Sequence, residues 1–176
     1  ARLNAWGGQP LPLNASTWSQ GVLHLRLSGA LAAVQAAHRL IGGEPVEPEQ
    51  ASALWQGWRN HHAPFFAQAH AALAHGAALW RLSVPPSAPP LALAGAQLIE
   101  WGGAQRWLCS TAPAPAAAIR EASTCVGGHA SLFRAHDKSA GVLTPLPAAL
   151  ERIHRGLKNA FDPDAILNPG RLYPGL

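Results

Sequence analysis

The sequence predicts an α+β fold, a partly antiparallel sheet with helices on one face, and three segments carry that prediction. Residues 22–28, VLHLRLS, alternate apolar and polar side chains, with Leu23, Leu25 and Leu27 on one face and His24, Arg26 and Ser28 on the other. That period of two is the pattern of a half-buried strand. Residues 97–101 and 104–109, QLIEW and AQRWLC, flank Gly102-Gly103, and two such runs around a glycine pair predict a hairpin. Residues 146–161 bring Leu146, Leu150, Ile153, Leu157 and Phe161 to helical spacing. A sheet covered by helices on one face leaves the other to solvent or to a second domain.

The remaining elements follow in chain order. Residues 1–20 read as an irregular linker, because Pro10 and Pro12 favour an extended path and no period is visible. Residues 30–41 form a helix, with Leu31, Val34, His38 and Ile41 on one stripe and Gly42-Gly43 as its stop. Residues 49–60 form a second helix, which Pro64 separates from a further turn or two over Phe65–Leu73. Residues 78–84, ALWRLSV, are a strand, followed by the rigid loop PPSAPP at 85–90. A helix over 115–126 turns Ile119 and Ala122 inward, and 129–134, HASLFR, is the last strand. Asp162-Pro163 ends the final helix. The organisation is thus linker 1–20, α+β domain 21–161 and tail 162–176.

Composition narrows the function classes. The chain has 176 residues, 48% of them hydrophobic and only 12% charged, about half the usual charged share. A surface so poor in charge predicts contact with another domain or partner. The net charge of +4 comes from scarce acids rather than from a basic block, which argues against nucleic acid. No apolar run approaches the ~20 residues of a membrane span, and no secretory leader is visible. The absence of Met and the start at Ala1 read as a piece of a longer chain. Cys109 and Cys125, with no CxxC, read as reduced thiols of a cytosolic protein.

Several chemistries lack their motifs. The nine histidines form no HxH or HxxxH set with a carboxylate, so no metal is expected. The glycine pairs form neither GxGxxG nor a P-loop, and no serine sits in GxSxG. What remains is a set of polar strand residues, His24, Arg26, Arg81, Glu100 and His129, that can share the face away from the helices. Arginine pairs bidentately with a carboxylate, and histidine exchanges a proton near neutral pH. The same five also read as solvated sheet residues, and both readings stand at this point. Hairpin parity puts Glu100 and Arg106 on opposite faces unless a bulge intervenes. In the tail, Asn168-Pro169-Gly170-Arg171 suits a tight turn, type II if Gly170 takes a positive φ.

The tail FDPDAILNPGRLYP resembles the closing segment of flavin-dependent oxidases of the vanillyl-alcohol-oxidase/PCMH type, whose tails read close to DPxxILNPG. The ordered series RLNAWGGQPLPL, GVLHLRLSG, PFF, LWRLSVPP, QLIEWGGAQRWL and GGHASLFR is similar to the FAD-binding E subunits of bacterial glycolate oxidases. That resemblance implies a ferredoxin-like cap domain whose open face covers the flavin, preceded by an N-terminal FAD domain. FAD belongs to the full-length protein, with none expected on this portion alone. The implied activity is oxidation of glycolate or a similar 2-hydroxy acid, in a complex with a paralogous flavin subunit and an iron–sulfur subunit. The implied place is cytoplasmic, or peripheral at the inner membrane through that complex. Arg26, Arg81 and Glu100 become substrate-binding candidates, His129 a proton acceptor, and Asn168, Gly170 and Arg171 neighbours of the flavin. A metal-binding histidine pair expected in related D subunits is absent here, which keeps a non-catalytic scaffolding role as the alternative. An RNA-binding version of such a sheet lacks its aromatic pattern here.

Overall fold

The computed structural model describes residues 2–110, 116–173 and 175–176. Its elements are α1 (Arg2–Gly7), β1 (Leu13–Ser19), β2 (Val22–Leu27), α2 (Leu31–Ile41), α3 (Pro48–Arg59), α4 (Pro64–Leu73), β3 (Ala78–Ser83), β4 (Ala96–Glu100), β5 (Gln105–Ser110), α5 (Ala116–Thr124), β6 (His129–Arg134) and α6 (Ala148–Phe161). Residue 115, where the fifth helix was expected to begin, and Pro174 of the tail lie outside the described residues. The six strands form one antiparallel sheet in the order β2-β1-β4-β5-β3-β6. The α+β reading therefore holds.

The first twenty residues depart from the linker expected of them. β1 lies inside the sheet, between β2 and β4. Ser19 pairs with Val22 across the two-residue turn Gln20-Gly21, where both residues have positive φ (51° and 82°). That is the turn whose twist matches a hairpin. LNASTWS gives no clean alternation, and Gln-Gly is a weaker turn signal than Asn-Gly, so the strand is hard to read from sequence. The Gly102-Gly103 hairpin forms as expected, with Glu100 opposite Gln105 and Ile99 opposite Arg106. Its turn is wider than two residues, because Trp101–Gly103 winds into a short 3-10 turn.

Two apolar clusters flank the sheet. On one face α3 and α4 bring Trp58, Phe65, Phe66 and Ala69 against Leu79, Leu98 and Trp107. On the other, Ile119 of α5 packs with Trp80, Leu82, Leu108, Ala130 and Leu132. The single helix-bearing face expected from sequence is thus divided. Trp80 and Leu82 alternate with Leu79 along β3, and Leu108 with Trp107 along β5, so these two inner strands bury apolar side chains on both sides. Pro48 and Pro64 open α3 and α4, where a missing N–H costs nothing and the fixed φ suits a helix.

The proline-rich strap, residues 85–95, is tied down by Gln97, which donates to the carbonyls of Leu91 and Leu93, by Asn4, which donates to Pro86 O, and by the buried Arg106. Arg106 donates to the carbonyls of Ala88 and Pro89 (both 2.6 Å) and of Gly103 (3.2 Å). Its face, opposite that of Glu100, is the one hairpin parity implied. The outer edge of β6 is covered by residues 142–144. Leu132 N–H donates to Val142 O, and Thr144 bonds both backbone groups of Ala130, which blunts an exposed strand edge.

α6 forms over almost the span predicted, yet it buries none of its side chains. Leu150, Ile153, Leu157 and Phe161 are 47, 57, 52 and 81% exposed. Its tail is organised by Asp162, which accepts from Lys158 Nζ and from the backbone N–H groups of Ile166 and Leu167. Among the described residues no helix is long and apolar enough to cross a membrane.

Candidate functional site: a groove on the polar face of the sheet

Strand register sorts the candidate residues. His24 pairs with Thr17, Thr17 with Glu100, Glu100 with Gln105, Gln105 with Ser83, and Ser83 with His129. One polar row therefore crosses all six strands. Arg26 lies two residues beyond His24 on β2, and Arg81 two residues before Ser83 on β3. Side chains two apart on a strand share a face, so all five predicted residues stand on one face. It is the face that carries α3 and α4, not a helix-free one. The reason is Leu79, Leu98 and Trp107, which share it and must be covered.

Sharing a face does not bring the five together. Strands lie about 4.8 Å apart, so Glu100 and His129 are separated by about 14 Å, three strand spacings. Arg26 and Arg81 are about 19 Å apart across the sheet, four spacings. Arg26 and Glu100 do line one groove, of about 690 Å³, between the β1–β2–β4–β5 floor and α3. Arg81 and His129 lie outside it.

The groove contains two residues that sequence reasoning missed, Arg59 and His61. His61 sits between α3 and α4 with a left-handed backbone (φ 57°). Its ring stacks on Phe66 at 4.2 Å between centroids and meets the edges of Trp107 (4.9 Å) and Phe133 (5.6 Å). Burial pushes its pKa down, against the opposing pull of the Glu100 carboxylate; Arg134, His70 and Arg81 add to the depression. The imidazole is thus held toward its neutral form, a hydrogen-bond acceptor as well as a donor. The adjacent pair His61-His62 offers no periodic signal, because its position depends on how two helices meet.

Glu100 is fixed in place. Oε2 accepts from the Trp107 indole N–H (2.8 Å) and from Gln105 Nε2 (3.0 Å). His24 has a different character. Its ring meets Trp58 at 4.7 Å, Nδ1 is buried without a partner, and burial lowers its pKa. It behaves as a packed histidine beside the groove.

The predicted tail residues form a second locus. Arg171 N–H donates to Asn168 O (3.2 Å) and Gly170 has φ 69°, as a type II turn requires. Asn168 and Arg171 line a recess of about 490 Å³ with His154 and Lys158 of α6. Tyr173 Oη donates to Thr144 O (3.3 Å), and Thr144 is bonded to Ala130 beside His129. The tail is thereby tied to the β6 flank on which His129 stands. The planar amide and guanidinium there suit the polar edge of a flavin ring, but no glycine-rich cradle for a pyrophosphate accompanies them. Among the described residues no group of three or more His, Cys, Asp or Glu is placed to hold a metal ion.

No family model and no solved structure matches the chain. Among curated proteins it is 42% identical over 171 residues to the glycolate oxidase subunit GlcE of Escherichia coli (strain K12). The aligned part is 97% of this chain and 44% of that protein, so the chain spans less than half the length of the relative it matches. The resemblance that the ordered motifs suggested is therefore a similarity running along almost the whole chain, to part of a glycolate oxidase E subunit.

Proposed function

We propose that this chain is the C-terminal, substrate-side part of a FAD-dependent 2-hydroxy-acid oxidase subunit, acting on glycolate or a similar acid. The observation that carries the reading is the 42% identity over 97% of the chain to a glycolate oxidase subunit. The polar sheet face supports it with Arg26 and Glu100 in one groove and Arg81 and His129 farther along. In this reading either Arg26 meets the substrate carboxylate and Glu100 orients the ligand, or Arg81 meets it beside His129, which accepts a proton; the two pairs are too far apart to share one small acid. Asn168, Gly170 and Arg171 face the flavin, which supplies a two-electron acceptor when bound by an FAD domain of the longer protein. A flavin subunit and an iron–sulfur subunit complete the complex, at a cytoplasmic or inner-membrane-peripheral site. The test is glycolate-dependent dye reduction by the assembled complex, with flavin absorbance read on the full-length subunit. Turnover and a bound flavin are expected; a flavin-free subunit in an active complex refutes the reading.

A second reading has its own observation. The outward stripe Leu150, Ile153, Leu157 and Phe161 on α6 suits a scaffolding domain of the same complex, contributing contacts rather than chemistry. Alanine substitution of Arg26, Arg81 and His129 in the intact complex separates the two, because unchanged turnover supports scaffolding alone.

A further inference from the structure

The groove beside α3 has a composition that the glycolate reading leaves unexplained. Its cationic side chains are Arg26 and Arg59. Among the described residues the ion pairs are Arg155–Glu151 and Lys158–Asp162, so neither groove arginine is engaged by an acid. Glu100, the acid in the groove, is bonded to Trp107 and Gln105. Both guanidinium groups are solvent-exposed at one concave site and free to take an anion, and a carboxylate matches their donor geometry. The walls are indole: Trp55, Trp58 and Trp101 line the same space. At about 690 Å³ the groove has the volume of a site for a larger small molecule, many times that of a two-carbon acid.

We propose that this groove binds a 2-hydroxy carboxylate bearing an apolar side chain, with Arg26 and Arg59 on its carboxylate, His61 on its hydroxyl and the tryptophans on its apolar arm. This rests on the 2-hydroxy-acid reading and adds Arg59, His61 and the larger substrate class to it. His61 is suited to a positioning contact. Its ring is gripped on one side by Phe66, Trp107 and Phe133 and belongs to the groove lining on the other.

The test is a titration of the 15N-labelled chain with glycolate, 3-phenyllactate, 3-phenylpropionate and 2-phenylethanol, following arginine Nε–H, imidazole and indole resonances. Phenyllactate is expected to bind about tenfold more tightly than glycolate, from partial burial of its ring. R26Q and R59Q each weaken both hydroxy acids by about tenfold, the scale of one charge-assisted hydrogen bond, and leave phenylethanol unchanged. His61→Asn, a residue that tolerates the left-handed backbone, abolishes the preference for phenyllactate over phenylpropionate. Equal affinity for glycolate and phenyllactate overturns the proposed side-chain class. Affinity unchanged in both arginine variants, or shifts confined to the tail recess, overturns the site. Steady-state turnover by the assembled complex separates the two levels: wild-type turnover that R59Q does not alter sinks the site and spares the oxidase reading. No wild-type turnover on any 2-hydroxy acid sinks that reading, while the titration still decides what the groove binds.

Discussion

Replacing Arg106 with Met keeps most of its volume and removes every donor. The native guanidinium, buried on the face opposite the groove, satisfies the carbonyls of Ala88, Pro89 and Gly103. A hydrogen bond to a charged group contributes about 1.5–3 kcal/mol, and a buried carbonyl left without a donor costs about 1–3 kcal/mol. The strap carbonyls at 88 and 89 can swing to water once released, whereas Gly103 is tethered by the hairpin turn. The three losses therefore do not add in full, and about 3 kcal/mol is the expected net destabilisation. Urea unfolding of the wild type and R106M measures it. Amide exchange should rise first in residues 85–95 and in the Trp101–Ala104 turn, because Val84 N–H bonds Ala104 O and couples the two. Since Trp101 lines the groove, its indole resonance should broaden as well. A loss under about 0.5 kcal/mol, or exchange spread evenly over the sheet, refutes the view that one arginine clamps the strap to the hairpin.

Gly21→Ala forces a side chain onto a residue at φ 82° in the β1–β2 turn and should cost about 1 kcal/mol, read as a lower denaturation midpoint with unchanged slope. Asp162 has its carboxyl pKa held down first by Lys158, then by the Leu167 and Ile166 amides. A depressed acid stabilises above its unfolded pKa of about 3.9 and loses that contribution as pH falls through the folded value. The 162–168 turn should accordingly open in acid, and D162N should open it at neutral pH, both visible as amide exchange at Ile166 and Leu167. His24, His61 and His70 all have lowered pKa values, burial being the largest cause of each. The unfolded chain then binds more protons than the folded one below about pH 6.5. Stability should be full above that pH and fall below it, and a midpoint that stays flat between pH 7.5 and 5.5 would count against these assignments.

The parts of the fold legible in sequence are those whose period is local. Leu23-Leu25-Leu27 declares β2, and the Leu150-to-Phe161 spacing declares α6. β1 is hidden because its environment is tertiary: Ser16 and Thr17 are buried polar residues between two neighbouring strands, Ser16 Oγ accepting from Gly102 N–H. Period on α6 also misleads. Its stripe has the pattern of a core-facing helix, yet Leu150, Ile153, Leu157 and Phe161 all stay exposed. The candidate site was legible to the extent that alternation puts Arg26, Arg81, Glu100 and His129 on one face. Alternation carries no strand order, so their separation was not. Arg59 and His61 were invisible because they enter the groove through helix placement. The tail shows the opposite case, since Asp162 and the Asn168–Arg171 turn act within their own segment and their sequence signature survives in the geometry.

Strand order constrains the substrate contacts more tightly than residue type does. Arg26 on β2 and Arg81 on β3 are four strand spacings apart, about 19 Å, and are also offset along the strands, with one same-face side-chain row between them. Two extended arginine side chains do not close that gap onto one small carboxylate. At most one of them grips the substrate acid, and the other serves a different contact on the same face. On the proposed reading the arginine that grips the acid is Arg26, which lines the groove. R26Q should then raise KM about tenfold or more, the scale of a lost charge-assisted hydrogen bond, in the assembled complex. R81Q should leave KM for the 2-hydroxy acid near its wild-type value, whatever it does to kcat. Equal increases in KM from the two single changes, with no further increase in the double, would mean one shared carboxylate site, which this strand order does not allow.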